Sequence, residues 1–183
     1  MLVLPGSSAL SDARFELLAT EMAALGGECV LREVVHAYVI DVPPGQSVNA
    51  KRLAALLHPG TATAPDPDAL TRSGRRIVAP RFGTISPWSS KATDIAHNCG
   101  FAAIERIERI TIVGVDGLQA CADHRALDAL IHDRMVETVV DSLDDLAPLF
   151  ERSAPQSYRE IDLLGAGVEA LFLANTALGL ALT

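Results

Sequence analysis

The chain has 183 residues, long enough for one compact domain with an extension or for a duplicated small domain. Its net charge of −8 argues against sequence-independent nucleic-acid binding, which needs clustered Lys and Arg, and fits a cytoplasmic enzyme or subunit. Hydrophobic residues make up 49% with only 4% aromatics, and the mean hydropathy is +0.26, more apolar surface than one small domain buries alone; a large partner interface would account for it.

The elements follow in chain order. Met1–Pro5 reads as a short strand, and no secretory signal is visible because Pro5-Gly6 interrupts the apolar start. Ser11 can cap a helix on which Phe15, Leu18, Met22 and Leu25 follow helical spacing, stopped by Gly26-Gly27. Two strands are expected within 28–42, then the turn PPGQS and a helix over 48–58. PGTATAPDPDALTRSG (59–74) reads as a linker. Beyond it come a strand at Arg76–Pro80, a helix over Lys91–Asn98, two strands within 103–115, a helix over 123–134 and a strand over 136–140. ERSAPQSYRE (151–160) separates these elements from an oily segment, 163–182. That segment is long enough to span a membrane, but Glu169 and Asn175 interrupt it and no basic cluster flanks it. It is therefore expected to bury itself against protein.

The order repeats. VLREVVHAYVIDV (30–42) matches AIERIERITIVGV (103–115) in apolar character, and KRLAALLH (51–58) matches RALDALIH (125–132) in the same order along the chain. Two matched pairs make duplication the better explanation. The expected fold is α+β: two ferredoxin-like β-α-β-β-α-β halves, about 1–58 and 75–150, packed back to back as a pseudo-dimer over residues 1–150, followed by a helical extension over 151–183. His58 and His132 fall at equivalent helix ends, where a cation complements the helix dipole.

Chemistry concentrates in one place, RFGTISPWSSKATDIAHNCG (81–100), which holds the only tryptophan. Ser89 or Ser90 can cap the helix that starts near Lys91, and Gly100 can end it. Thr84, Ser86, Ser89, Ser90 and Lys91, with Asp94 one turn on, stand where exposed N–H groups can hold an anion or carboxylate; equally, the hydroxyls can simply brace the loop, with Ile85 and Trp88 as its anchors. There is no G-x-x-x-x-G-K-S/T phosphate loop, no G-x-S-x-G elbow and no S-x-x-K spacing. His97 and Cys99 are two potential ligands without a partner pair, a weak metal signal. Cys29, Cys99 and Cys121 form no C-x-x-C and leave one over, which suits a reducing compartment.

GTISPWSSKATDIAHNCG (83–100) closely resembles the N-terminal domain of phosphoribosylformylglycinamidine synthase, the single-chain formylglycinamide ribonucleotide amidotransferase. VLPGSSALS (3–11), HDRMVETV (132–139) and DLLGAGVEALFLANTALGLAL (162–182) resemble the same family in the same order, so the likeness covers nearly the whole chain. Phe82 departs from it, standing where the family commonly has proline. The resemblance implies a far longer parent chain that uses ATP and Mg²⁺ to activate formylglycinamide ribonucleotide, and ammonia released from glutamine to complete the amidine. It implies that residues 1–150 are similar to a dimer of the small accessory subunit of multi-chain versions, and that 151–183 opens a linker domain. No catalytic residue, metal ligand or cofactor site is then expected in this piece, and its partners are the synthetase and glutaminase domains of the same chain rather than nucleic acid or membrane. On this reading Thr84, Ser86, Ser89, Ser90, Lys91 and Asp94 contact substrate or dock the loop. Two other classes compete with it: a free-standing accessory or small-molecule-binding subunit, and a hydrolase or transferase built on the Ser/Lys loop.

Overall fold

Two long strands set the architecture of the computed structural model, which describes residues 1–26, 28–58, 66–151 and 157–181. β2 (Val30–Asp41) and β4 (Arg106–Asp116) pair antiparallel at the centre of one sheet, from Val30↔Asp116 to Asp41↔Arg106. β1 (Leu2–Ser8) adds to the outer side of β2, β3 (Arg75–Pro80) to that of β4, and β5 (Glu137–Val140) to β3. The five-stranded sheet runs β1-β2-β4-β3-β5, antiparallel throughout.

Alternation along the strands divides the core in two. On one face, Leu31, Val34, Val113 and Val115 pack with Met22 of α1 (Asp12–Ala24) and Leu127 of α4 (His124–Ile131). Farther along that face, Tyr38, Ile40 and Ile107 pack with Leu53 of α2 (Ala50–Leu57) and Ala96 of α3 (Pro87–Asn98). On the opposite face, Ala37, Val39, Ile77, Ile110 and Ile112 are closed over by Leu146 and Leu149 of the 3-10 helix Asp144–Phe150, both fully buried. Burying each such side chain contributes about 1.5–3 kcal/mol relative to leaving it in water.

This differs from the expected pair of back-to-back units. Residues 1–58 supply β-α-β-α rather than a closed β-α-β-β-α-β unit, and the halves join edge to edge through β2 and β4 into a single sheet. The predicted breaks within 28–42 and 103–115 do not occur. The polar residues that suggest them are absorbed in the strands: a bulge between Leu31 and Glu33 lets Arg32 pair with Asp116 and Glu33 with Arg72, while Glu108 is held by internal partners. The apolar second face is covered by a 3-10 helix, so it has no need of a second sheet.

The helices match their expected places with shifted ends. Asn49 caps α2 by accepting from the Arg52 N–H at 3.0 Å, and Asp123 caps α4 by accepting from Arg125 and Ala126. Ser11 stands at the α1 N-cap without a side-chain cap bond. His58 and His132 are the C-cap residues of α2 and α4. Gly27 and residues 59–65 and 152–156 lie outside the described residues, so part of the predicted stop signal and of both linkers falls there.

The chain divides into a unit Met1–Arg152 and a second unit Ser153–Thr183. In the second, α5 (Leu163–Leu178) starts at Asp162, whose side chain accepts from the Gly165 N–H at 2.7 Å, and kinks at Gly167, where φ is 67°. None of its residues is buried, and no other element of this unit among the described residues covers it. Among the described residues no helix is long and apolar enough to cross a membrane.

Candidate functional site

The strand-to-helix loop after β3 is shaped by its own hydroxyls. Arg81 N–H donates to the Val136 carbonyl at 2.9 Å, and the Thr84 hydroxyl donates to the Arg81 carbonyl at 2.6 Å, closing a tight turn. Ser86 then caps α3: its Oγ accepts from the Ser89 N–H at 3.0 Å, and Pro87 takes the first helical position, where a missing N–H costs nothing. The predicted caps, Ser89 and Ser90, thus lie inside the first turn. The S-P dipeptide, not the later serine pair, starts the helix.

Beneath the cap sits Glu108, fully buried on β4. Its carboxylate accepts from the Ser86 N–H at 3.2 Å and from the Ser86 hydroxyl at 2.7 Å. Arg106 donates to it as well, and its guanidinium also holds the carbonyls of Thr84 at 2.7 Å and Leu149 at 3.1 Å while lying over the Phe150 ring. One ion pair therefore ties the loop to the 3-10 helix behind the sheet. Buried charges persist only when paired and hydrogen-bonded in this way.

Trp88 is held from both strands. It stacks on Tyr38 with centroids 5.6 Å apart and planes 18° apart, and the Arg109 guanidinium lies over its ring at 5.2 Å. Tyr38 donates to the Leu57 carbonyl, and burial pushes its phenol pKa up. Ile85, the other expected anchor, is 63% exposed.

The loop opens onto a cavity of about 580 Å³ on the helical face of the sheet. Its lining includes His36, Thr111 and Arg109 from the central strands, Arg81, Thr84, Ile85, Ser86 and Trp88 from the loop, and Met135, Val136 and Glu137. Gly6 lies close behind His36, since a Cβ there would meet the His36 carbonyl at 2.8 Å. Burial, then the Arg109 charge, lowers the His36 pKa to about 4, so its ring is neutral near pH 7. Among the described residues neither Arg81 nor Arg109 forms a salt bridge. The arrangement suits a small polar molecule carrying negative charge. It does not suit nucleophilic catalysis: Thr111 Oγ1 is 3.4 Å from His36 Nδ1, and a ring with a pKa of about 4 is a poor proton acceptor near neutrality.

Of the predicted residues, Thr84, Ile85, Ser86 and Trp88 come together at this cavity. Ser89 is fully buried with its hydroxyl unpartnered, and Ser90, Lys91 and Asp94 lie exposed on α3 outside the lining. His97 Nε2 contacts the Ile104 carbonyl at 2.7 Å. Among the described residues no group of three or more His, Cys, Asp or Glu is placed to hold a metal ion. Arg106, Glu108, Arg109 and His36 were missed. Their signal was present: in the aligned repeats Glu108 stands where the first copy has Val35, and Arg109 where it has His36.

A mixed α+β domain with one antiparallel sheet and a braced loop at a strand-to-helix junction defines the class. The family described as formylglycinamide ribonucleotide amidotransferase N-terminal matches residues 33–150, more than half of the chain, and the chain belongs to that family. Membership ties it to the formylglycinamide ribonucleotide amidotransferase of purine biosynthesis and implies other domains or subunits of the same enzyme.

Proposed function

We propose that residues 1–150 are the structural and docking domain of an ATP-dependent ligase that converts formylglycinamide ribonucleotide to formylglycinamidine ribonucleotide in the cytoplasm, and that 151–183 opens its linker domain. The family match over 33–150 carries this reading. ATP, Mg²⁺ and the ammonia-producing site belong, on this proposal, to the other domains, and the isolated piece is inactive. The apolar surface left open on α5, where Leu164, Phe172 and Leu173 are exposed, is the kind of face that marks a contact site.

The two halves are read as a duplicated unit turned about an axis through the centre of the sheet. Ala37 and Ile110 are the eighth residues of the two repeats and also each other's register partners. Leu53 and Leu127, equivalent in the matched helices, are both fully buried.

Within that domain, Thr84, Ser86, Ser89, Ser90, Lys91 and Asp94 form the loop and helix face offered to the synthetase core, with Ser86 and Ser89 bracing from within and Lys91 and Asp94 presented outward. Lys91→Ala in the full-length enzyme is expected to lower turnover or raise the KM for the ribonucleotide while glutamine hydrolysis is unchanged. Unchanged synthetase kinetics would remove Lys91 from substrate contact and leave docking.

The cavity beside Trp88 favours a second reading, a domain that binds a small molecule of its own. Thermal-shift measurements with nucleotides and amino acids separate the two, because a ligand of the native state raises Tm by mass action.

A further inference from the structure

Two thiols distant in sequence meet inside the α1–α4 core. Cys29 precedes β2, and Cys121 follows the 3-10 helix Leu118–Ala120 after β4; their sulfurs are 3.3 Å apart, and the residues are only 4% and 7% exposed. The sheet brings them together: Val30 pairs with Asp116, so the chain leaving β4 runs alongside the chain entering β2. The approach is tight enough that a Cβ on Gly117 would meet the Glu28 carbonyl at 2.4 Å.

We infer that Cys29 and Cys121 form a reversible dithiol–disulfide site whose co-substrate is a low-molecular-weight disulfide. The neighbours Glu28, Gln119, Ala120 and Ala122 are exposed, so the pair lies just beneath the surface. Opening the three-residue 3-10 turn suffices to bring Cys121 to solvent. The hydrogen bond to Cys121, with burial, raises the Cys29 pKa, while Cys121 ends the short turn whose residues Gln119 and Ala120 are exposed and so meets the small disulfide first. The Cys121 thiolate attacks one sulfur of the small disulfide, forming a mixed disulfide and releasing one thiol. As the turn closes, the Cys29 sulfur attacks the Cys121 sulfur, expels the second small thiol and gives up its proton. Two protein thiols are oxidised by two electrons, and one small disulfide is reduced to two thiols. Cys99 packs against the other helical cluster and takes no part.

The test uses the 183-residue chain incubated with oxidised glutathione, followed by intact mass and peptide mapping. The expected product has lost about 2 Da, joins the peptides of Cys29 and Cys121, and melts roughly 5–10 °C higher, reversed by dithiothreitol. Cys99→Ser should react in the same way, and Cys121→Ser should not. If Cys121→Ser fails to fold, the wild-type map alone decides. Two unmodified thiols, under conditions in which the denatured chain reacts fully, would overturn the proposal, as would glutathione held stably on Cys121 without closure.

Discussion

Glu108 is the residue on which the loop rests: both Ser86 donors and Arg106 converge on a carboxylate with no exposure to solvent. Glu108→Ala strands the Arg106 guanidinium and should cost about 3–5 kcal/mol in urea unfolding, the range for breaking a buried ion pair. A loss under about 1 kcal/mol would mean that water replaces the carboxylate. His36 makes a prediction of a different kind. Its ring falls from the ordinary 6.5 to about 4 on folding, so between these values the unfolded chain binds a proton that the native chain does not. The stability tied to this residue is therefore complete above pH 6.5 and is lost as pH falls through 4. The measurement is an NMR titration of the ring: a midpoint near 4 is expected, rising toward 6.5 in Arg109→Met because that charge is removed. A wild-type midpoint near 6.5 would place the ring in water.

At the scale of elements, the start of α3 separates the sequence expectation from the structure. Ser86→Ala removes the cap bond to Ser89 and a donor to Glu108, and should cost about 1–2 kcal/mol. Ser90→Ala, the predicted cap, should stay within about 0.5 kcal/mol because Ser90 is exposed. Denaturation of both variants checks the pair, and the reverse order would restore the predicted helix start. Much else at this scale was legible. Helical spacing singled out Met22, which is fully buried, and matching KRLAALLH with RALDALIH foretold that Leu53 and Leu127 occupy equivalent sites; each Leu→Ala change should cost about 2–5 kcal/mol. What could not be read was how the strands combine. Alternation along β2 and β4 says that both faces are apolar, but not that the second face is capped by the short helix carrying Leu146 and Leu149 rather than by another sheet. Nor does the local pattern distinguish a charge that breaks a strand from one, such as Glu108, buried with a partner two residues away. The candidate site was half legible for the same reason. The hydroxyl-rich loop is contiguous in sequence, whereas His36 and Arg109 reach the cavity only through register pairing of distant strands.

At the scale of the whole molecule, Met1–Arg152 carries its own core, while α5 leaves a run of apolar side chains open, Leu164 fully so. On the function proposed above, those side chains contact further domains of the enzyme, whose existence the family match over residues 33–150 implies. Hydrogen exchange of residues 163–178 should accordingly be slower in the full-length enzyme than in the 183-residue chain; equal rates would leave the helix without a docking role. The claim that this chain works as part of a larger amidotransferase is tested most directly by the mass of the native protein, read by immunoblot of its own cells with an antibody to residues 1–183. A single band far above 19.4 kDa is expected, and a band at 19.4 kDa alone would contradict that claim and identify a free-standing subunit.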